Sequence, residues 1–218
     1  MAGVLRAEPV WVETFTGLQV TQFARLLRVV RERGGNGTLR GRPWSLPLAE
    51  QVLMVAVYYR TNLTMRRLGP LFGVSSSTVC RVVQRLGPLL AVEPVARPVD
   101  ADTRLVIAAA RPVPGTTADA HAWRASGLSQ YCKSVTVLGD GVYLNCGMAV
   151  PHRKRPGRVL LQAEEDDNAE HRRVRARVEH VIGRLKNYKI LRDCRQRGDG
   201  LHHAAQAIAR MHNLALAS

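Results

Sequence analysis

The sequence predicts a two-part chain of mixed α/β (α+β) class: an all-α N-terminal module carrying a helix-turn-helix, then a domain mixing short strands with helices. Three observations carry this expectation. Apolar residues recur at helical spacing as far as about Leu90. A proline-bearing break, Val92-Glu-Pro-Val-Ala-Arg-Pro98, follows. Beyond it, short β-branched runs alternate with helical stretches. The implied limits are residues 1–91 for the helical module, 92–98 for a linker and 99–218 for the second domain.

In chain order, Leu18–Arg33 places Phe23, Leu26, Leu27 and Val30 on one stripe, and Gly34-Gly-Asn-Gly37 ends that helix. A second helix follows Ser45, with Pro47 in its first turn and Leu48, Val52, Val55 and Tyr59 on one buried face. Residues 64–86 then read as a helix-turn-helix. Leu68, Phe72, Val74, Val79 and Val82 fall where two short crossing helices face each other, Gly73 sits at the corner, and Gly69 permits close approach. Ser75 is placed to cap the second helix, although Pro70 should kink or shorten the first. The second helix presents Ser76, Ser77, Cys80, Arg81 and Gln84 outward. The candidate DNA-binding residues are Ser75, Ser76, Ser77, Arg81, Gln84 and Arg85, since Arg suits guanine and Gln suits adenine in the major groove.

Past the linker, Asp100-Ala-Asp102 reads as a turn, Arg104–Ala110 as a buried strand and Thr117–Ser126 as a helix. Ser134–Leu138 reads as a second strand ending in the tight turn Gly139-Asp-Gly141. A basic loop, 151–158, precedes the acidic run Glu164–Asp167, read as a solvated stretch before a helix over about His171–Lys186. A last helix covers Leu201–Leu216.

The 32 Lys and Arg against 17 acidic residues give a formal charge of +15, which favours a polyanionic partner, nucleic acid above all. The four cysteines form no Cys-x-x-Cys pair. That argues against a zinc site or a disulfide framework and for a reducing, cytoplasmic setting. No apolar run is long enough to span a membrane, and no signal peptide is evident.

Val174, Val178, Val181, Ile182 and Leu185 form an apolar stripe, with Glu179 on its margin beside Arg175. A carboxylate there can point into a cleft, and Asp140 at a strand end is a natural partner. Two such groups suit Mg²⁺ and phosphodiester chemistry. The same residues also fit plainer roles, Glu179 pairing with Arg175 one turn earlier and Asp140 shaping its turn.

Several segments together resemble one family. They are Asp102-Thr-Arg-Leu-Val, Arg111-Pro-Val-Pro-Gly115, Gly139-Asp-Gly-Val-Tyr143, Val150-Pro-His-Arg153, Val174-Arg-Ala-Arg-Val-Glu-His-Val181, Ile190-Leu-Arg-Asp-Cys194 and Ile208-Ala-Arg-Met-His-Asn-Leu214. From about Leu46 onward the chain resembles DDE-type transposases of bacterial insertion sequences, in the subgroup similar to insertion sequence five. The resemblance implies an RNase H-like sheet whose three acids bind divalent metal, Mg²⁺ or Mn²⁺, and cut transposon ends. It makes Asp140 the second acid and Glu179 the third, 39 positions apart. It also implies double-stranded DNA of the element's terminal repeats as partner, a homo-oligomer that pairs two ends, and a nucleoid-associated protein.

Family members carry the first acid in an Asp-Gly-Thr segment after the helix-turn-helix. Here Leu90 is followed almost at once by Pro94, Pro98 and Asp100, with no such segment. The expectation is therefore an internally deleted transposase with a truncated RNase H-like domain and impaired cleavage. The alternative is an inactive remnant or repressor acting through the helix-turn-helix. A basic transcription regulator with an α/β sensor domain is disfavoured by the block around Glu179.

Overall fold

The computed structural model describes residues 3–37, 43–92, 101–133 and 135–217. The chain forms two compact units, one of Met1–Glu93 with Arg184–Ser218 and one of Pro94–Gly183. Residues 99–218, read from the sequence as one domain, thus contribute their last portion to the first unit. Most of the 92–98 linker, together with Asp100, lies outside the described residues.

The first unit is all helical. α1 (Pro9–Thr16) starts on a proline and ends at Gly17 with φ 72°. α2 (Val20–Glu32) opens with a Gln19/Gln22 capping box and buries Phe23, Leu26, Leu27 and Val30. α3 (Leu48–Thr61) begins after Pro47, and every residue from Gln51 to Tyr59 is buried. This corrects the single buried face expected from the sequence. Leu53, Met54, Ala56 and Val57 extend the apolar surface around the helix, so it lies at the centre of the unit rather than on its edge. α1, α2, α4 (Met65–Phe72) and α5 (Ser76–Leu89) pack on it, as does the turn Lys189–Leu191. α8 (Gly200–Leu216) packs on α5, α2 and that turn, burying Ala204, Ala207, Ile208 and Met211. Tyr188 donates its hydroxyl to the Thr16 carbonyl at 3.0 Å, and Asn62 donates to the Asp193 carbonyl at 2.5 Å. These bonds tie the chain's last residues into the N-terminal core.

The second unit holds α6 (Asp119–Ser126), several 3₁₀ turns and most of α7 (Gln162–Leu185). Both strands expected from sequence fail to form among the described residues. Arg104–Ala110 carries no strand among the described residues, and Arg104 has a φ of 55° that breaks extended backbone at its start. At the second site, the described residues 135–138 reduce to a single parallel bridge between Leu138 and Ala149. A strand is held by its neighbours, and none among the described residues extends either segment into a ladder. The acidic run Glu164–Asp167 also lies inside α7, in its first turns, where the helix N-terminus favours it.

Burial separates the two units sharply. No large apolar side chain of the second unit is buried among the described residues. Leu138, Val142, Leu144, Val159, Val178 and Ile182 are each at least 40% exposed. The buried side chains are polar, Asn168 and His171. With no large apolar side chain buried among its described residues, the second unit draws little on the main driving force that offsets chain entropy. Hydrogen exchange should therefore find α3, α5 and α8 strongly protected and amides of residues 101–183 exchanging orders of magnitude faster. Equal protection in both units would contradict this division.

Candidate DNA interface and carboxylate pair

The helix-turn-helix forms as the sequence directs. α4 and α5 meet at Gly73, whose φ of 67° is open to glycine and strained for other residues. A methyl group on Gly69 would come within 2.5 Å of the Val74 carbonyl oxygen, so the corner depends on its absence. Leu68, Phe72, Val79 and Val82 are buried between the helices, while Val74 is half-buried. Ser75 caps α5, its Oγ accepting the Thr78 N–H at 3.2 Å. α4 accommodates Pro70 but is only eight residues long.

The six candidate DNA-binding residues fall into distinct settings. Ser77, Arg81 and Gln84 are exposed, and Ser76 is half-buried. Arg81 is exposed and rests lightly on its own helix, its Nε 3.4 Å from the Ser77 carbonyl and its Nη2 3.4 Å from Thr78 Oγ1, with the guanidinium 5.9 Å from the Trp44 ring centre. Arg66 and Arg67 of α4 are also exposed and add positive charge to this unit. Ser75 uses its hydroxyl as the cap. Arg85 turns the other way: it donates to the Gly35 carbonyl at 3.0 Å and to Gln51 Oε1 at 2.5 Å, and stacks 4.7 Å over the Trp44 ring. Burial pushes its pKa below the usual arginine value. Gln51, itself buried in α3, donates onward to the Leu46 carbonyl at 2.7 Å. This chain of bonds fixes the orientation of α5 on the core. The inward role of Arg85 is not legible from a helical-wheel reading, because it depends on Trp44 and Gly35, residues distant in sequence.

In the second unit, α7 gathers the other candidates. His171, buried, bonds the Gly139 carbonyl at 2.8 Å and so holds the Gly139-Asp-Gly141 turn against the helix. Asp140 Oδ1 accepts the Val142 N–H at 3.0 Å. Its other oxygen lies 3.6 Å from Arg175, and the same Arg175 nitrogen lies 3.5 Å from Glu179 Oε1. By those two distances the carboxylates are no more than about 7 Å apart, on one side of α7. Both plainer roles hold as well, since Asp140 caps its turn and Glu179 pairs one turn back with Arg175. The basic loop is tied down by Asn168, which accepts the His152 N–H at 2.8 Å and donates to the His152 carbonyl at 3.1 Å. Arg158 reaches Glu164 at 2.7 Å, and the Leu161 N–H with Arg158 holds the Glu164 carboxyl below its ordinary pKa. Asp102 pairs with Arg177 on α7.

As a metal centre this arrangement is incomplete. No group of three or more His, Cys, Asp or Glu side chains able to hold a metal ion occurs among the described residues. A guanidinium stands between the two carboxylates. Such a donor set does not fit a two-ion centre, which needs several hard anionic oxygens around each site.

A family model for the helix-turn-helix of DDE superfamily endonucleases matches residues 44–95, and one for the DDE superfamily endonuclease itself matches residues 99–213. The chain belongs to the DDE-superfamily endonucleases, as an insertion-sequence transposase with its own helix-turn-helix. It is 44% identical to the Streptomyces albus G protein named "Putative transposase for insertion sequence element IS112", over 99% of both chains. That match runs over 254 positions, whereas this chain has 218 residues, so at least 36 positions of the relative find no counterpart here. No solved structure matches the chain. Members of this superfamily generally use divalent metal ions. No helix among the described residues is long and apolar enough to cross a membrane.

Two expectations follow from the geometry. Arg85→Ala should destabilise the first unit by about 1–3 kcal/mol, because it leaves Gln51 Oε1 buried and unpaired, while Arg81→Ala should stay within about 0.5 kcal/mol. Urea unfolding measures both, and equal effects would refute the division of roles. Arg175→Ala should tighten Mn²⁺ binding, followed by electron paramagnetic resonance, by roughly fivefold, the equivalent of about 1 kcal/mol for an exposed charge. No gain would show that the guanidinium does not compete for the carboxylates.

Proposed function

We propose that this chain binds the terminal repeats of its insertion sequence through α5 and is impaired in cutting them. In this reading Ser76, Ser77, Arg81 and Gln84 face the major groove, Ser75 fixes the helix start, and Arg85 holds the helix in place. The second unit is a truncated RNase H-like domain, with Asp140 and Glu179 as the second and third family acids and the first lost with the deleted segment. The observation that carries the reading is the Asp140–Arg175–Glu179 cluster, two carboxylates sharing one cation where the family chemistry calls for three acids. Two further facts support it: the 36 or more unmatched positions, and the absence of buried large apolar side chains from the described part of the second unit. A strand pair missing from a sheet takes with it both a ligand and the apolar face on which helices pack. Mg²⁺ is the natural ion for any residual activity, and pairing of two ends implies a homo-oligomer in the nucleoid.

A second reading, a still-cutting transposase, is favoured by one observation, the convergence of Asp140 and Glu179 on one side of α7. Incubation of the protein with an element-end duplex and Mg²⁺ or Mn²⁺ separates the two. The expected result is binding without nicking. Metal-dependent nicking abolished by Glu179→Gln would establish the second reading instead. In the same binding assay, Arg81→Ala should weaken affinity by ~1–3 kcal/mol and relax sequence preference, and affinity should fall steeply with salt. Unchanged affinity and preference would remove α5 from the interface.

A further inference from the structure

Trp44 precedes α3 and packs, half-buried, against the core of the first unit. Two guanidinium groups of α5, one turn apart, face its ring. Arg85 lies 4.7 Å from the ring centre and Arg81 5.9 Å, both within the roughly 6 Å reach of a cation–π contact. The two are held differently. Arg85 is bound inward, to the Gly35 carbonyl and Gln51 Oε1. Arg81 is exposed, and its two hydrogen bonds to its own helix are long, both 3.4 Å. The ring itself is confined. Arg85 stacks on it, and a methyl on Gly37 would sit 3.6 Å from its Cδ1, so the chain at Gly37 runs along that edge.

A line of contacts thus runs from the core to the surface. It starts at the Leu46 carbonyl, which accepts from Gln51, and passes through Arg85 and Trp44 to Arg81. Arginine loses much rotamer freedom when a ligand fixes it, and a guanidinium already held near its bound orientation loses less. Two cations at i and i+4 also repel one another, and the negative face of a shared tryptophan offsets that repulsion. An exposed contact of this kind changes an equilibrium about two- to fivefold. That is small against core packing, yet large enough to alter a base preference.

We propose that Trp44 is a positioning residue for DNA readout, holding the Arg81 guanidinium in the orientation in which α5 offers it to a base edge. The proposal rests on the reading of α5 as the groove-facing helix. An unrestrained Arg81 reaches phosphate oxygens as readily as bases, and phosphate contacts carry no sequence information. An arginine held on the ring favours the paired acceptors of one guanine. Trp44 therefore acts on sequence preference more than on total affinity.

The test uses the full chain and fluorescence anisotropy, at one salt concentration, with an element-end duplex and its single-base-pair variants. Arg81→Ala first locates the position that Arg81 reads, as the one where preference is lost. Trp44→Leu and Trp44→Met keep apolar bulk against the core and remove the π-face, while Trp44→Phe keeps a face. The expected result is a loss of preference at that same position by about two- to fivefold in the Leu and Met variants, with preference elsewhere unchanged. Trp44→Phe should retain most of the preference, and Trp44→Leu should add little to Arg81→Ala in the double variant. A lowered Tm with base preference intact would make Trp44 a packing residue and overturn the proposal. Equal losses on every duplex, including one of unrelated sequence, that add to those of Arg81→Ala would overturn it too. If Arg81→Ala leaves every preference unchanged, the reading of α5 fails and this proposal with it. Preference lost in Arg81→Ala but kept in the Leu and Met variants strikes Trp44 alone.

Discussion

α3 is apolar around its whole circumference, and a helix of that kind stays folded in water only when something covers every side. The coverage comes from both ends of the chain. α1, α2, α4 and α5 pack on it together with the turn Lys189–Leu191, and α8 in turn backs α5, α2 and that turn. The consequence reaches the proposed interface, because α5 can present Arg81 and Gln84 outward only while Val79, Val82, Val83 and Leu86 are held against this core. The C-terminal 35 residues are therefore part of the DNA-binding unit in the physical sense, whatever segment of the family they descend from.

Polar devices then set orientation on top of apolar packing. Arg85, Gln51 and Trp44 form a half-buried lock between α5 and α3. Arg33 does similar work at the far end of α5, donating to the carbonyls of Leu89 and Ala91 at 3.0 and 2.7 Å. These arginines belong to a strongly basic chain, yet their charge is turned to internal carbonyls rather than to a polyanion. Net charge alone overstates the number of cations available for phosphate.

The second unit follows the opposite logic. Its organisation rests on polar anchors along α7, with His171 on the Gly139 carbonyl and Asn168 on the backbone of His152. Those anchors bring Asp140 beside Glu179 in a unit where no large apolar side chain is buried among the described residues. Local hydrogen bonds position side chains well enough, but they do not replace buried area as a source of stability.

The helical elements of the first unit were legible in the sequence because each declares itself locally: the periodic stripe of α2, the glycine corner at Gly73, the cap at Ser75. α1 was not read, since eight residues carry too little periodicity. The strands expected at 104–110 and 134–138 do not form among the described residues, because β-branched composition states a preference while a ladder depends on neighbouring strands. For the candidate site, the acids Asp140 and Glu179 were read from the strand-end turn and the margin of an apolar stripe, family resemblance ordered them as second and third acids, and their link through Arg175 came from the fold. What the sequence determined by itself was the helix-turn-helix, the basic character and the DDE-superfamily membership, all of which rest on local pattern. Which arginines point outward, where the last helix packs, and how little core the second unit holds were decided only by tertiary structure. Each depends on what residues far apart in sequence place next to one another.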